Sequence, residues 1–224
     1  MFHEEQLTAL KKELIEFASL VERMIEKRVK GLVQRQKELL AEVINTDEPR
    51  ANLLDIRMDE LCTSLIARYQ PMAKDLRTIL MVFKMNDDLE RMADHAVNIS
   101  ESGLYLLESP SVKPLIDIPE MQAVTAQMVR DSITAFIDEN AQLAKDVCAR
   151  DSVIDELRDK VYRELFTVMC GNAATIERSL HLMRIARNLE RIADLSTNIC
   201  EDVIFMVQGK VIKHHKTNGD DQAE

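Results

Sequence analysis

Glycine, proline and aromatic residues are all scarce in this chain. Its 224 residues include five glycines, five prolines and no tryptophan, and aromatic side chains make up 4%. Leucine, isoleucine, methionine, alanine, glutamate, lysine and arginine dominate instead, and most of these favour helices. With 46% hydrophobic residues the chain is too apolar for a disordered protein. The composition therefore predicts a soluble, all-α protein.

Several kinds of sequence signal are also missing. The four cysteines form no CxxC pair, which excludes a zinc ribbon, and their scatter through apolar segments is typical of a protein in a reducing cytosol. The apolar run Ile79–Phe83 is far too short to span a bilayer. Phe2–Lys12 lacks the apolar core of a signal peptide. We therefore expect a cytoplasmic protein without direct membrane insertion.

Negative charge predominates, with a formal net charge of −10. Such a chain repels phosphate backbones, so we expect no nucleic-acid partner. The same charge favours bound cations or a basic surface on a partner.

The chain contains an internal repeat with an offset of 100 residues. Residues 85–101 read MNDDLERMADHAVNISE and residues 185–201 read IARNLERIADLSTNICE, with eight of seventeen positions identical. Chance would give roughly one identity. A helical period alone does not require Asn, Arg and Asp to recur in register. We therefore predict two related halves.

Breaks in the sequence divide each half into three helices. We predict six helices, over residues 3–45, 52–69, 71–108, 119–149, 151–170 and 173–208. The fold class is all-α, with two pseudo-symmetric three-helix bundles formed by a tandem repeat. The bundles are predicted at residues 1–109 and 119–213, joined by a Pro-rich linker at 110–118 and followed by a frayed polar tail at 214–224.

The third and sixth helices are amphipathic. Apolar residues recur at alternating spacings of three and four, at Met85, Leu89, Met92, Ala96, Ile99, Gly103 and Leu106, and at Ile185, Leu189, Ile192, Ser196, Ile199, Val203 and Met206. At about 100° per residue, Glu90, Asp94 and Glu101 lie away from the apolar stripe. The repeat copy behaves in the same way.

Acidic residues four positions apart occur in both halves. Asp55 and Asp59 on the second helix and Glu90 and Asp94 on the third recur as Asp155, Asp159, Glu190 and Asp194. Like charges at this spacing destabilise a helix by a few tenths of a kcal/mol. One interpretation is a solvated surface. The other is a pair of oxygen-only metal sites, suited to Mg²⁺, Mn²⁺, Ca²⁺ or iron.

Motifs of common enzyme classes are not found. The repeated helices contain no Glu-x-x-His motif of a di-iron oxidase, and the chain has neither GxxxxGK[ST] nor GxGxxG. Catalytic pairs of carboxylates usually need a cleft that separates their pKa values. We therefore predict a protein that is not an enzyme; a metal-dependent hydrolase and a purely structural helical module remain the alternatives.

The repeated helix resembles the signature of the PhoU family, close to DLERIGDxAxNIxE. It matches residues 88–101, DLERMADHAVNISE, and the second copy runs over residues 188–201. The resemblance implies two three-helix bundles with surface clusters of metal ions. By position, Asp55, Asp59, Glu90 and Asp94 would form one site, and Asp155, Asp159, Glu190 and Asp194 the other. Iron or zinc is implied; manganese and magnesium also suit carboxylates.

The resemblance also implies a regulatory role. Members act as negative regulators of phosphate uptake and phosphate-starvation signalling, between the ATPase subunit of the phosphate ABC transporter and a sensor histidine kinase, and homodimers are expected. The sequence departs from the family pattern at Ala93 and Ala193, where glycine is usual, and at Asn188. Because Arg187 replaces the Asp87 of the first copy, we expect a less acidic second site.

Overall fold

The structure, a computed structural model, describes residues 2–110, 112 and 117–208. The first half contains α1 (Phe2–Val33), α2 (Lys37–Glu42), a π-helical turn (Val43–Asp47), α3 (Glu48–Tyr69) and α4 (Ala73–Leu107). The second contains α5 (Asp117–Ile137), α6 (Ala141–Cys148), α7 (Asp151–Gly171), a 3₁₀ turn (Ala173–Thr175) and α8 (Ile176–Gln208). No strand occurs in these ranges, which confirms the all-α prediction.

The six predicted helices are the six long ones, but three predicted boundaries are wrong: the end of the first helix, the start of the second and the end of the fourth. The first helix does not continue to Asn45, because the chain turns at residues 34–36 and restarts as α2. The second predicted helix begins before residue 52, because the π-helical turn leads directly into α3 at Glu48 and Pro49 occupies the first turn of α3. Proline has no backbone N–H that would need a partner, and the π-helical turn before it, in which Glu48 N–H donates to the Val43 carbonyl, changes the hydrogen-bond register at this point.

The fourth predicted helix is broken in the same way. It ends as α5 at Ile137 and restarts as α6 at Ala141, instead of running unbroken to Ala149. Arg35 and Glu139 take positive φ angles of 53° and 50° at the two breaks. At each break an N–H reaches back five residues, from Gln36 to Gly31 and from Asn140 to Ala135 (both 2.8 Å). These are Schellman motifs. Because glycine usually marks such motifs, its absence hid both breaks from sequence analysis.

The first break lets α2 pack closely against its neighbours. Buried Leu40 on α2 fits between Gly31 on α1 and Gly103 on α4. A Cβ at either glycine would lie within 3.0 Å of a Leu40 side-chain carbon. Glycine at these positions therefore permits the close approach of three helices.

The buried residues of both halves form one hydrophobic core. The most extensive helix packing joins α4 to α8, which run antiparallel, as the pairs Lys84–Asp202 and Tyr105–His181 show. Every predicted stripe residue of these helices is buried except Leu106 and Met206, which are partly buried. The domain limits remain a prediction, and residues 111, 113–116 and 209–224, which include the tail, lie outside the described residues.

Arg28 is the one charged side chain with no exposed surface among the described residues. None of its three guanidinium nitrogens has a hydrogen-bond partner there. Burial lowers its pKa to about 9. Burial lowers the pKa of His95 on α4 most, and the charges of Arg91 and then Arg28 lower it further. Burying an unpaired charge is costly, so Arg28 is a source of instability in the first half.

Candidate functional site

The first acid cluster lies where α3 packs against α4. Asp55 and Asp59 face α4 from adjacent turns of α3, and Asn86 on α4 bridges them. Its Nδ2 donates to Asp55 Oδ1 (2.6 Å) and to Asp59 Oδ1 (3.1 Å). It also donates to the Asp55 carbonyl oxygen (3.1 Å). Three acceptors around one amide nitrogen fix the orientation of the Asn86 side chain.

The acceptor end of the same side chain is unsatisfied. Asn86 is only 1% exposed, and its Oδ1 has no hydrogen-bond partner among the described residues. An unpaired buried acceptor costs roughly 1–3 kcal/mol. The position therefore favours a ligand that brings an N–H donor or a positive charge.

An open cavity of about 660 Å³ adjoins this cluster. Its walls come from α3, α4 and the last turns of α8, so the second half of the chain contributes to the first acid cluster. Seven of the eleven lining residues are acidic: Asp55, Asp59, Asp87, Asp88, Glu90, Glu201 and Asp202. Asn86, Asn198, Phe83 and Lys84 complete the lining.

The cavity carries little positive charge to offset these acids. Lys84 is its one lysine, and both carboxylate oxygens of Asp202 accept from Lys84 Nζ (2.6 and 2.8 Å). Asp55, Asp59 and Glu90 therefore have no basic residue of the lining as a partner. This arrangement attracts cations.

Burial and mutual repulsion hold carboxyl pKa values in the cavity above their usual range. For Asp55, burial raises the pKa most and the charge of Asp59 raises it further. For Glu90, burial again comes first, followed by the charge of Asp94. Burial and the nearby Asp202 raise the pKa of Asp88 to about 7. A bound cation would favour the ionised forms of these groups.

Asp94 takes a different position from its predicted partners. It lies one turn beyond Glu90, is exposed and does not line the cavity. The structure thus brings Asp55, Asp59 and Glu90 to one cavity and leaves Asp94 at its edge.

The second acid cluster is filled by a side chain of the same chain. Arg158 on α7 donates to Asp155 (2.7 Å), Glu190 (2.8 Å) and Asp159 (2.8 and 3.1 Å). Hydrogen bonds to Asp159 and the charges of all three acids raise the Arg158 pKa above its ordinary value. The guanidinium therefore pairs with three of the four predicted ligands of the second site and offsets part of their negative charge.

Asp194, the fourth predicted ligand, lies outside this contact. Its carboxylate pairs with Arg191 (3.1 Å), which lies three residues earlier on α8. Burial and the charge of Glu190 raise its pKa to about 6.

The two clusters differ in how well they suit a metal ion. In the first, the unsatisfied Asn86 oxygen and the unpaired carboxylates fit a hard cation. In the second, a cation would have to displace Arg158. Within the described ranges, no three His, Cys, Asp or Glu side chains are close enough to one point to hold a metal ion together. A cation in the open cavity would thus keep part of its water shell, as Mg²⁺ commonly does.

Asn86, Asp202 and Arg158 are site residues that were not predicted from the sequence. A comparison of the two repeat copies offered one signal, because Met58 occupies the position that corresponds to Arg158. The contribution of Asp202 could not be seen, because it depends on how α8 packs beside α4.

Comparison with known proteins agrees with this architecture. The family model "PhoU domain" matches twice, at residues 14–103 and 118–203. The chain belongs to the PhoU family. The two matched segments correspond to the two halves of the repeat, which confirms the predicted tandem organisation.

Individual PhoU relatives match over most of their length. A PhoU homologue of Aquifex aeolicus is 39% identical over 210 residues, which cover 94% of this chain and 95% of the relative. The crystal structure of PhoU from Pseudomonas aeruginosa superposes with a TM-score of 0.89 at 30% identity, covering 92% of this chain and 99% of that one. The PhoU structure from Streptococcus pneumoniae gives 0.87 at 25% identity, with coverages of 94% and 99%.

None of the helices described for this PhoU-family chain is long and apolar enough to cross a bilayer. Of the four cysteines, Cys62 and Cys200 are buried, Cys148 is partly buried and Cys170 is exposed, all as free thiols.

Proposed function

We propose that this protein regulates phosphate transport as an accessory component of the transport system. The Aquifex aeolicus relative is named a phosphate-specific transport system accessory protein. The Streptococcus pneumoniae structure is named a phosphate transport system regulatory protein. In this proposal the chain acts as a negative regulator, an adaptor between the transporter ATPase subunit and a sensor histidine kinase. It acts in the cytoplasm, as a homodimer and without catalytic turnover.

The proposal includes a bound metal ion, and one observation carries this part: the open acidic cavity with the unsatisfied Asn86 oxygen. Asp55, Asp59 and Glu90 line the cavity and would hold the ion partly through its bound water molecules, with Asp94 one turn beyond Glu90. Iron, zinc, manganese and magnesium are the candidate ions. A bound cation would neutralise the repelling acids and connect α3 to α4.

The two clusters differ in this role. The family pattern assigns a second site to Asp155, Asp159, Glu190 and Asp194, but Arg158 already pairs with three of these groups, and a metal ion would have to displace it. We therefore propose one strong metal site per chain, in the first half.

The metal test uses the two clusters as matched controls. Chelator-treated protein is titrated with Mn²⁺ by calorimetry, alongside the double variants Asp59→Asn/Glu90→Gln and Asp159→Asn/Glu190→Gln. We expect about one site in the unaltered protein, loss of binding in the first variant and little change in the second. Saturating Mn²⁺ at 100 times the dissociation constant should add about 2.7 kcal/mol to the free energy of unfolding. Equal binding by both variants would contradict the assignment.

The regulatory role requires a separate test. Deletion of the encoding gene should raise the expression of phosphate-starvation genes in phosphate-replete cells, and the intact gene should restore repression. Purified protein should bind the transporter ATPase and the cytoplasmic part of the sensor kinase in pull-down experiments. Unaltered expression after deletion would contradict negative regulation, whatever the metal titration shows.

A further inference from the structure

The second acid cluster shows how this arrangement of three carboxylates holds a guanidinium group. One Nη of Arg158 lies between Asp155 and Glu190, at 2.7 and 2.8 Å. The other Nη and Nε both reach Asp159, at 2.8 and 3.1 Å. The planar fork of arginine suits such a set of acceptors, and the bonds are charge-assisted.

The first half repeats the acids but not the arginine. Asp55, Asp59 and Glu90 occupy the corresponding positions, whereas position 58 holds a methionine that is 1% exposed. The space beside these acids is part of the open cavity. Lys84 does not replace the missing arginine, because it pairs with Asp202.

Asn86 gives an independent indication of a ligand. This side chain is 1% exposed, lines the cavity and has an unpartnered Oδ1 among the described residues. A guanidinium offers five N–H donors, enough for this oxygen as well as for the carboxylates. The cavity thus combines a negative charge with an acceptor that lacks a donor.

Two exposed apolar side chains lie on α4 at or near the cavity. Phe83 lines it and is 43% exposed, and Leu80, one turn earlier on α4, is 46% exposed. An arginine that enters from outside would bring neighbouring residues of its own chain against these side chains. Apolar neighbours on that chain would bury this surface, which favours binding.

We propose that the cavity of the first half binds an arginine side chain of a partner protein, flanked by apolar residues, in the way that Arg158 fills the second half. The carboxylates of Asp55, Asp59 and Glu90 and the Oδ1 of Asn86 are the acceptors. The apolar flanks of the partner segment pack on Phe83 and Leu80. The inference concerns an interaction surface and does not depend on the metal ion of the proposed function.

The test uses two short peptides. The ¹⁵N-labelled full chain, kept in EDTA, is titrated with N-acetyl-Leu-Arg-Leu-amide and with the matched N-acetyl-Leu-Lys-Leu-amide, and amide chemical shifts are followed. We expect saturable shifts at residues 86–90 with the arginine peptide. The dissociation constant of the lysine peptide should be about tenfold higher, since lysine lacks the planar fork.

Two variants separate this site from general attraction to an acidic protein. Asp59→Asn/Glu90→Gln should abolish the shifts. Met58→Arg keeps every acid, and should abolish them too, because the introduced guanidinium takes the place of Arg158 in the repeat. Asp159→Asn/Glu190→Gln should leave binding unchanged. Equal affinity for the two peptides, or binding that survives in Met58→Arg, would overturn the proposal. The use of EDTA makes this result independent of the Mn²⁺ titration.

Discussion

The two halves of the molecule carry the same three carboxylates, but only those of the second half have an arginine of the chain as their partner. In the second half, Arg158 pairs with Asp155, Asp159 and Glu190. In the first, Met58 stands at the corresponding position and the acids line an open cavity. A repeat can therefore keep its acidic residues while a single neighbouring position decides whether they have a cationic partner within the chain. The first half is the functional candidate, and in the second the acids already share one guanidinium.

The largest expected effect on stability comes from a buried arginine, which the second half lacks among its described residues. The first half also buries Arg28 without a hydrogen-bond partner among the described residues. Replacing a buried ion pair by apolar side chains of similar volume is often neutral or stabilises a protein by about 1–4 kcal/mol, and a buried charge without a partner has the desolvation cost without the attraction of a pair. We expect Arg28→Met to raise the free energy of unfolding within that range, measured by urea denaturation.

The matched control is Arg23→Met, because Arg23 is exposed on the same helix. It should change stability by less than about 0.5 kcal/mol. If Arg28→Met destabilised the protein, the guanidinium would have to have hydrogen-bond or charge partners in the folded protein. The first half would then carry no unpaired charge in its interior.

Removal of the arginine from the second cluster should make the halves more alike. Arg158→Met copies the methionine of the first half and leaves three carboxylates without their cation. Because Arg158 is 23% exposed and makes several charge-assisted hydrogen bonds, we expect a loss of about 2 kcal/mol in urea denaturation. We also expect a second Mn²⁺ site in calorimetry.

The control for this variant is Arg163→Met, farther along the same helix. It should leave both the stability and the number of Mn²⁺ sites nearly unchanged. If Arg158→Met still bound one Mn²⁺ ion, the arginine would not be what separates the two clusters.

The smallest expected effect concerns the two helix breaks. Asn140 caps α6 by accepting from the N–H groups of Gln142 and Leu143, whereas Gln36 makes no such bond at the start of α2. We expect Asn140→Ala to cost about 1 kcal/mol. Gln36→Asn should gain somewhat less than that amount, since it supplies the missing cap. Thermal denaturation of both variants measures the difference. If both variants lowered the stability by the same small amount, the N-cap hydrogen bonds would not be what distinguishes the two breaks.

Local patterns predicted most of the secondary structure. The spacing of Met85, Leu89 and Met92 predicted a buried stripe on α4, and all three are fully buried. The same patterns failed at Arg35 and Glu139, where left-handed residues end α1 and α5 without glycine. Arginine and glutamate both favour a continuing helix. A Schellman motif is formed by backbone hydrogen bonds, so without a glycine it leaves no mark in the sequence.

The candidate site could be predicted only in part. Asp55 and Asp59 share a helix face by period, and the internal repeat identified Glu90 as the third acid of the set. In the structure Asp55, Asp59 and Glu90 line one cavity, and their role as metal ligands stays a prediction. Asp94 was expected beside them, but side-chain direction on α4 leaves it exposed at the edge.

The sequence by itself determined the all-α fold, the tandem repeat and the helix positions of the acids, because these depend on residue type and on the helical period. Tertiary structure alone decided that Asp202 of α8 lines the first cavity and that Arg158 on α7 reaches Glu190 on α8. Electrostatic partnership depends on distances between side chains on different elements, and these distances follow from how the helices pack.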